Sequence, residues 1–149
     1  SHHYQYKNLA EVPLEVIIDL KTKFDKITFK RASYVAEEEA RTKKASKAIN
    51  LGNIKKLGEL MYKSHKGLSK KYQVSCEELD FLVDCSKEHD SVVGSRMMGG
   101  GFGGCTINLI QKDNVQTYIN FIKDEYYKKF NVNLSAIEVN VSDGVRKLH

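Results

Sequence analysis

The residues best suited to chemistry lie in "GSRMMGGGFGGCTINLI", positions 94–110. Five of the chain's 10 glycines fall within Gly99, Gly100, Gly101, Phe102, Gly103 and Gly104. Glycine loses more conformational freedom on ordering than any other residue, so such a run marks backbone that turns sharply or is closely approached. Successive amides in a loop of this kind converge on an anion such as phosphate, or allow close approach to a second anion-binding loop. A tight hairpin packed under other backbone is the plainer alternative, although two glycines usually suffice for one. Phe102, at the tip, reads as a wedge or lid. Arg96 precedes the glycines by three residues and suits either bracing the loop or meeting a phosphate.

The common nucleotide-binding readings of this loop fail on context. The spacing satisfies G-x-G-x-x-G, but a dinucleotide-binding loop must open a helix whose N-terminus holds the pyrophosphate. This one opens into "CTINLI", which alternates like a strand, and no ribose-binding acid sits at a strand end about twenty residues on. A phosphate loop of the Walker type fails because no Gly-Lys-Ser/Thr follows.

Other reactive side chains are scattered. His65 falls on the apolar stripe of a helix and reads as a satisfied core or helix-end histidine, with no nucleophile assignable to it. Asp80, Asp84 and Asp143 lie outside any phosphate-loop context, and His, Cys, Asp and Glu nowhere cluster at metal-ligand spacing, so no metal site is expected. Cys76, Cys85 and Cys105 contain no C-x-x-C pair; an odd, sparse set reads as reduced thiols in a cytosolic protein, each acting as a small buried hydrophobe.

The elements around the loop follow from periodicity. "FKRASYVAEEEARTKKASKAINL", from Phe29 to about Leu51, places Phe29, Ala32, Ala36 and Ala40 at helical steps, and Gly52-Asn53 stops it. Arg31 and Arg41 flank its acidic run and are expected to form ion pairs on the helix face. A second helix carries Ile54, Leu57, Leu60, Met61, His65 and Leu68 on one stripe. A third opens at "SCEELDFLVDCSKEH", where Ser75 and Glu78 have capping-box spacing. "SVVGSRM" and "CTINLI" read as strands on either side of the glycines, with Ile107 and Leu109 on one side and Thr106 and Asn108 on the other. "DNVQTYINFIKDEYYKKF" returns to helical spacing, and "AIEVNVSDG" alternates through Ile137, Val139 and Val141 before a turn at Ser142 to Gly144. Upstream, "LEVIIDL" suits a short strand or a helix equally. The expected fold is α+β: a mainly antiparallel sheet with helices packed on one face, like a split βαβ (ferredoxin-like) unit lacking its opening strand.

At 149 residues the chain reads as one domain, 1–149, able to bury its own core. Its lysines and arginines outnumber its acids 24 to 19, but they lie at polar positions of helical patterns, which favours a solvated surface over a nucleic-acid patch. No long apolar run points to a membrane span, and the opening residues carry no secretory core, so a cytoplasmic setting is expected.

"GSRMMGGGFGGCTINL" resembles the third signature motif of the galactokinases, members of the GHMP family of small-molecule kinases. The resemblance runs from about Tyr4 to the C-terminus. It includes the Arg31-Ala32 pair opening a helix, the "GELM..SH" segment from Gly58 to His65, and the Tyr-x-Val-Ser-Cys-x-Glu-Leu-Asp run from Tyr72 to Asp80. The resemblance implies a GHMP-kinase C-terminal domain, from an enzyme that transfers the ATP γ-phosphate to the C1 hydroxyl of galactose with Mg²⁺ in the Leloir pathway. Substrates in that family bind between two domains, and the glycine loop of the C-terminal one lies beside the active site and supports the phosphate-binding loop of the other. This role maps onto Gly99, Gly100, Gly101, Phe102, Gly103 and Gly104. Met98 stands where the family usually has Thr.

The family's galactose signature, ATP loop and catalytic Asp and Arg belong to its N-terminal half, and none occurs here. The chain is therefore expected to be the C-terminal portion of a galactokinase and inactive alone. ATP and Mg²⁺ would be held mainly by the N-terminal domain of the same protein, its principal partner. Two alternatives are another GHMP sugar kinase, such as one for N-acetylgalactosamine, and a free-standing non-catalytic domain that binds a sugar or a phosphate.

Overall fold

Pro13 and Asp25 set where the first two helices begin in the structure, a computed structural model that describes residues 6–140. Proline fits a helix entry because it lacks an amide that would go unused there. The stretch after it, equally suited to strand or helix, is the helix α1 (Leu14–Asp19), whose Ile17 is buried. Asp25 caps α2 (Lys26–Asn50) by accepting from the amides of Ile27 and Thr28 at 2.8 and 3.0 Å. That cap starts α2 three residues ahead of Phe29, earlier than the apolar periodicity indicates. Ile17 packs against Ala32 and Ala36, where the small side chains of α2 let α1 approach.

Arg41 pairs with Glu37 and Glu38 one turn back. The expected pair for Arg31 does not form, because its neighbours three and four residues away are Ile27, Thr28, Tyr34 and Val35.

Asn53 caps α3 (Ile54–Gly67), which runs on into a π-helical turn, Leu68–Tyr72, and ends at Gln73 with φ 62°. Next comes α4 (Glu77–Ser86), whose cap residue is Cys76 and makes no side-chain cap bond. The capping box expected from Ser75 and Glu78 is therefore absent: the helix starts one residue too late for Ser75 to serve, and Ser75 lies against Asp80 instead. Glu77, Glu78 and Asp80 in the first turn face the positive end of the helix dipole and help to hold it.

The strands β1 (Val92–Met98) and β2 (Cys105–Ile110) pair antiparallel, with Met98 opposite Cys105 where the glycine loop leaves the sheet. A register shift between Val92 and Gly94 puts Val92, Ser95 and Met97 on one face, together with Thr106, Asn108 and Ile110. That face meets the helices: Met97 joins Tyr34, Leu68 and Leu79 in one core, while Val92 and Ile110 join Leu82, Tyr118 and Ile122 in another. The polar side of β2 is thus the inward one, and the Tyr118 hydroxyl donates to Asn108 Oδ1 at 3.3 Å. Ile107, on the other face, is 38% exposed.

The last helix among the described residues is α5 (Val115–Phe130), terminated by Asn131 in the left-handed conformation. The third strand expected from "AIEVNVSDG" does not form over its described part. Alternation supplies strand preference, but a strand needs a paired neighbour, and the sheet has only two strands among the described residues. Ile137 and Val139 are 85% and 69% exposed. Val141, Asp143 and the turn at Ser142 to Gly144 lie outside the described residues, as do Ser1 to Gln5.

Candidate functional site: the glycine loop and its supports

Helix α3 lies along the outer edge of β1 and sets the first leg of the loop. Contact at the start of that edge is backbone to backbone: a Cβ on Gly58 would lie 1.9 Å from the Val93 carbonyl oxygen, and one on Gly94 would lie 2.4 Å from the Gly58 Cα. Two turns further along α3, His65 Nδ1 accepts the Met97 amide at 3.2 Å. Both contacts run in the same direction, so the helix covers a strand edge that would otherwise leave backbone groups unpaired.

His65 is 5% exposed, and its Nε2 lies 3.2 Å from Asp80 Oδ1. Because Nδ1 accepts, the ring proton belongs on Nε2, facing the carboxylate. The other Asp80 oxygen receives the Ser69 hydroxyl at 2.7 Å and the Lys70 ammonium at 3.3 Å. Burial pushes the His65 pKa below the usual histidine value, against the opposing pull of Asp80. Asp80 is held below the usual carboxylate range: burial works against its charge, and the Ser75 and Ser69 hydroxyls with Lys70 outweigh it.

The second leg is fixed by Val74. The π-helical turn and Gln73 bring the Val74 amide to the Leu68 carbonyl at 3.1 Å. The Val74 carbonyl then accepts the Phe102 amide at 2.7 Å. A Cβ on Gly101 would fall 2.0 Å from that same oxygen, at a φ of +87°. Glycine is therefore required there twice over, by conformation and by space. Around Gly99, Gly100 and Gly103 a Cβ would meet nothing within 4 Å. One side of the loop is docked and the other stands open. Phe102 projects from it, 77% exposed.

Arg96 turns toward α2. Its Nε donates to the Met97 carbonyl at 3.1 Å, and its guanidinium lies 3.5 Å from Glu38 Oε1. Glu38 also receives Arg41 and the Ser64 hydroxyl, so one carboxylate ties α2, α3 and β1 together. Burial and that nearby carboxylate push Tyr34 up to about 12.

All three cysteines are free. Cys85 is buried and its thiol is pushed up to about 11, chiefly by that burial. Cys105, beside Gly104, is exposed; the expectation of buried thiols fails there because its position on β2 points away from the helices. Among the described residues no three His, Cys, Asp or Glu side chains converge as a metal set. A groove of about 800 Å³ lies between Ala10–Glu15, α2 and α3, and no loop residue lines it.

Residues 45–128 match the family described as GHMP kinases C terminal. The chain belongs to that family. As a GHMP C-terminal domain it is similar to the galactokinase of Thermosipho africanus, 38% identical over 130 residues, covering 87% of this chain and 37% of that protein. It is 38% identical over 141 residues to the galactokinase of Clostridium acetobutylicum, covering 95% of this chain and 36% of the relative. A crystal structure of Lactococcus lactis galactokinase complexed with galactose superposes with a TM-score of 0.82 at 34% identity, over 87% of this chain and 34% of that one. The chain thus spans a little over one third of the length of these relatives.

His65 and Val74 are the supports that the spacing of the glycines did not reveal. Their only sequence trace is membership of the "GELM..SH" and Tyr-x-Val-Ser-Cys segments. Pairing across 32 residues, as from His65 to Met97, leaves no periodic signal.

Proposed function

We propose that this chain is the C-terminal domain of a galactokinase, active together with an N-terminal domain of the same protein. The enzyme transfers the ATP γ-phosphate to the C1 hydroxyl of galactose. The observation that carries this reading is 38% identity to a galactokinase over 141 residues, nearly the whole chain, including the loop. The open side of the loop supports it physically: Gly99, Gly100 and Gly103 leave room for another backbone to come within contact distance.

When bound, ATP with Mg²⁺ supplies an activated phosphoryl group. The resemblance to the family assigns the ligands of that metal mainly to the N-terminal domain. What this chain contributes is a surface. The docked glycine loop supports the partner's phosphate-binding loop through main chain alone, Phe102 closes over its edge, and Arg96 braces the end of β1 onto α2. Met98, in place of the family's usual Thr, brings no hydroxyl to that surface, and its side chain is 49% exposed. No helix among the described residues is long and apolar enough to cross a membrane. With three free thiols, the cytoplasm is the proposed setting.

The test is a sugar panel on the upstream-extended protein with ATP and Mg²⁺, reading the product by phosphorus NMR. Galactose 1-phosphate is the expected product. Phosphorylation of N-acetylgalactosamine but not galactose would assign the domain to a different sugar kinase.

A further inference from the structure

We propose that His65, oriented by Asp80, is a positioning residue: it fixes the glycine loop by accepting the Met97 amide at the end of β1. The loop is held at two points, Met97 and Phe102, by one continuous piece of chain, α3 with its π-helical turn. His65 supplies the first hold at 3.2 Å and Val74 the second at 2.7 Å. Between these points a Cβ on Gly99 or Gly100 would meet nothing within 4 Å, so that side of the loop is open and its location rests on the two clamps.

The first clamp works in one tautomer only. A ring protonated at Nε2 turns that N–H toward the Asp80 carboxylate, 3.2 Å away, and accepts from Met97; the opposite tautomer sets N–H against N–H at Met97. Asp80 selects the working form. It is held in place by Ser69 and Lys70, so α4 and the π-helical turn fix the carboxylate that orients the ring. Met97 is fully buried, so its amide has no water to turn to if the ring is lost.

The alternative is that His65 merely fills space in the core, and two substitutions separate the cases. His65→Asn keeps a carboxamide oxygen near the place of Nδ1 and loses the reach to Asp80. His65→Gln keeps a donor near the place of Nε2 and leaves Met97 without its acceptor. A packing role ranks Gln above Asn, since Gln is closer to histidine in volume. A positioning role ranks Asn above Gln.

The experiment measures amide exchange at Met97 and Phe102 in the upstream-extended protein, alongside its galactose kinase kinetics. Exchange at Met97 is expected to speed up by roughly tenfold or more in His65→Gln and by only a few-fold in His65→Asn. Only the kinetic arm rests on the kinase reading: kcat should fall in His65→Gln with the galactose KM nearly unchanged, and His65→Asn should recover most of it. The reverse order, or equal exchange in both variants, overturns the proposal. Ring nitrogen shifts in the unaltered protein give a test that needs no variant: Nε2–H supports the clamp, and Nδ1–H refutes it. Exchange that follows the expected order in a protein with no galactose turnover would uphold the clamp and remove the kinase reading alone.

Discussion

Alanine at position 58 sets two physical effects against each other. Within a helix, alanine is favoured over glycine by about 1 kcal/mol. Against that, the new methyl would sit 1.9 Å from the Val93 carbonyl oxygen and 2.6 Å from its carbon, whereas real contacts of this kind lie above 3.0 Å. The obstacle is strand backbone, which cannot rotate aside, so α3 must retreat from β1 by more than an ångström. Overpacking of this type costs about 1–3 kcal/mol, occasionally more. The retreat also draws His65 away from Met97 and forfeits a hydrogen bond of roughly 1 kcal/mol, more if the buried amide stays unpaired. The net loss is about 1–3 kcal/mol, and at roughly 2–4 °C per kcal/mol for a chain of this size, Tm falls by about 2–12 °C. Thermal and urea unfolding of Gly58→Ala beside the parent are the assay, with the urea midpoint lowered and the slope unchanged. A Tm that holds or rises would mean that helix preference outweighs packing, and that α3 is not seated backbone-to-backbone on β1.

The loop glycines should divide by environment. Gly101→Ala, with its Cβ 2.0 Å from the Val74 oxygen, is expected to speed Phe102 amide exchange by at least roughly tenfold, while Gly100→Ala, in open space, leaves it nearly unchanged. Stability should decline in acid in two stages. The His65 pKa is lowered from 6.5, so its contribution is complete above that value and is lost as pH falls toward the folded pKa. Asp80 is lowered from 3.8, so its contribution disappears only below that. Unfolding free energies between pH 7 and 2 check both stages, and His65→Asn should flatten the upper one. Phe102→Ser removes an exposed ring and should leave Tm within about 2 °C, as surface substitutions do. In sedimentation experiments the same change should reduce any self-association of the 149-residue chain.

The glycine loop was conspicuous in the sequence because five glycines in six positions have few physical explanations. Its supports were not, since the bonds from Met97 to His65 and from Phe102 to Val74 join segments brought together only by tertiary packing. Helices α2, α3 and α5 followed from spacing, but the start of α2 depends on Asp25, whose side chain caps from outside the apolar pattern. Ser75 and Glu78 had the spacing of a capping box without its geometry, because the helix begins at Glu77. The alternation of β2 was plain; which side faces inward was not, since Tyr118 gives Asn108 a partner and so makes the polar side suitable for burial. Ile137 and Val139 show the limit of alternation as a guide: it reports a capacity to pair, and pairing needs a neighbour.

The central claim is that the loop supports chemistry supplied by another domain. The most direct measurement is coupled ATP consumption with galactose and Mg²⁺, on the 149-residue chain alone and on the upstream-extended protein. The account predicts turnover by the extended protein and none by the short chain. Galactose phosphorylation by the short chain would contradict it and would make Arg96 and the loop itself the catalytic groups to examine.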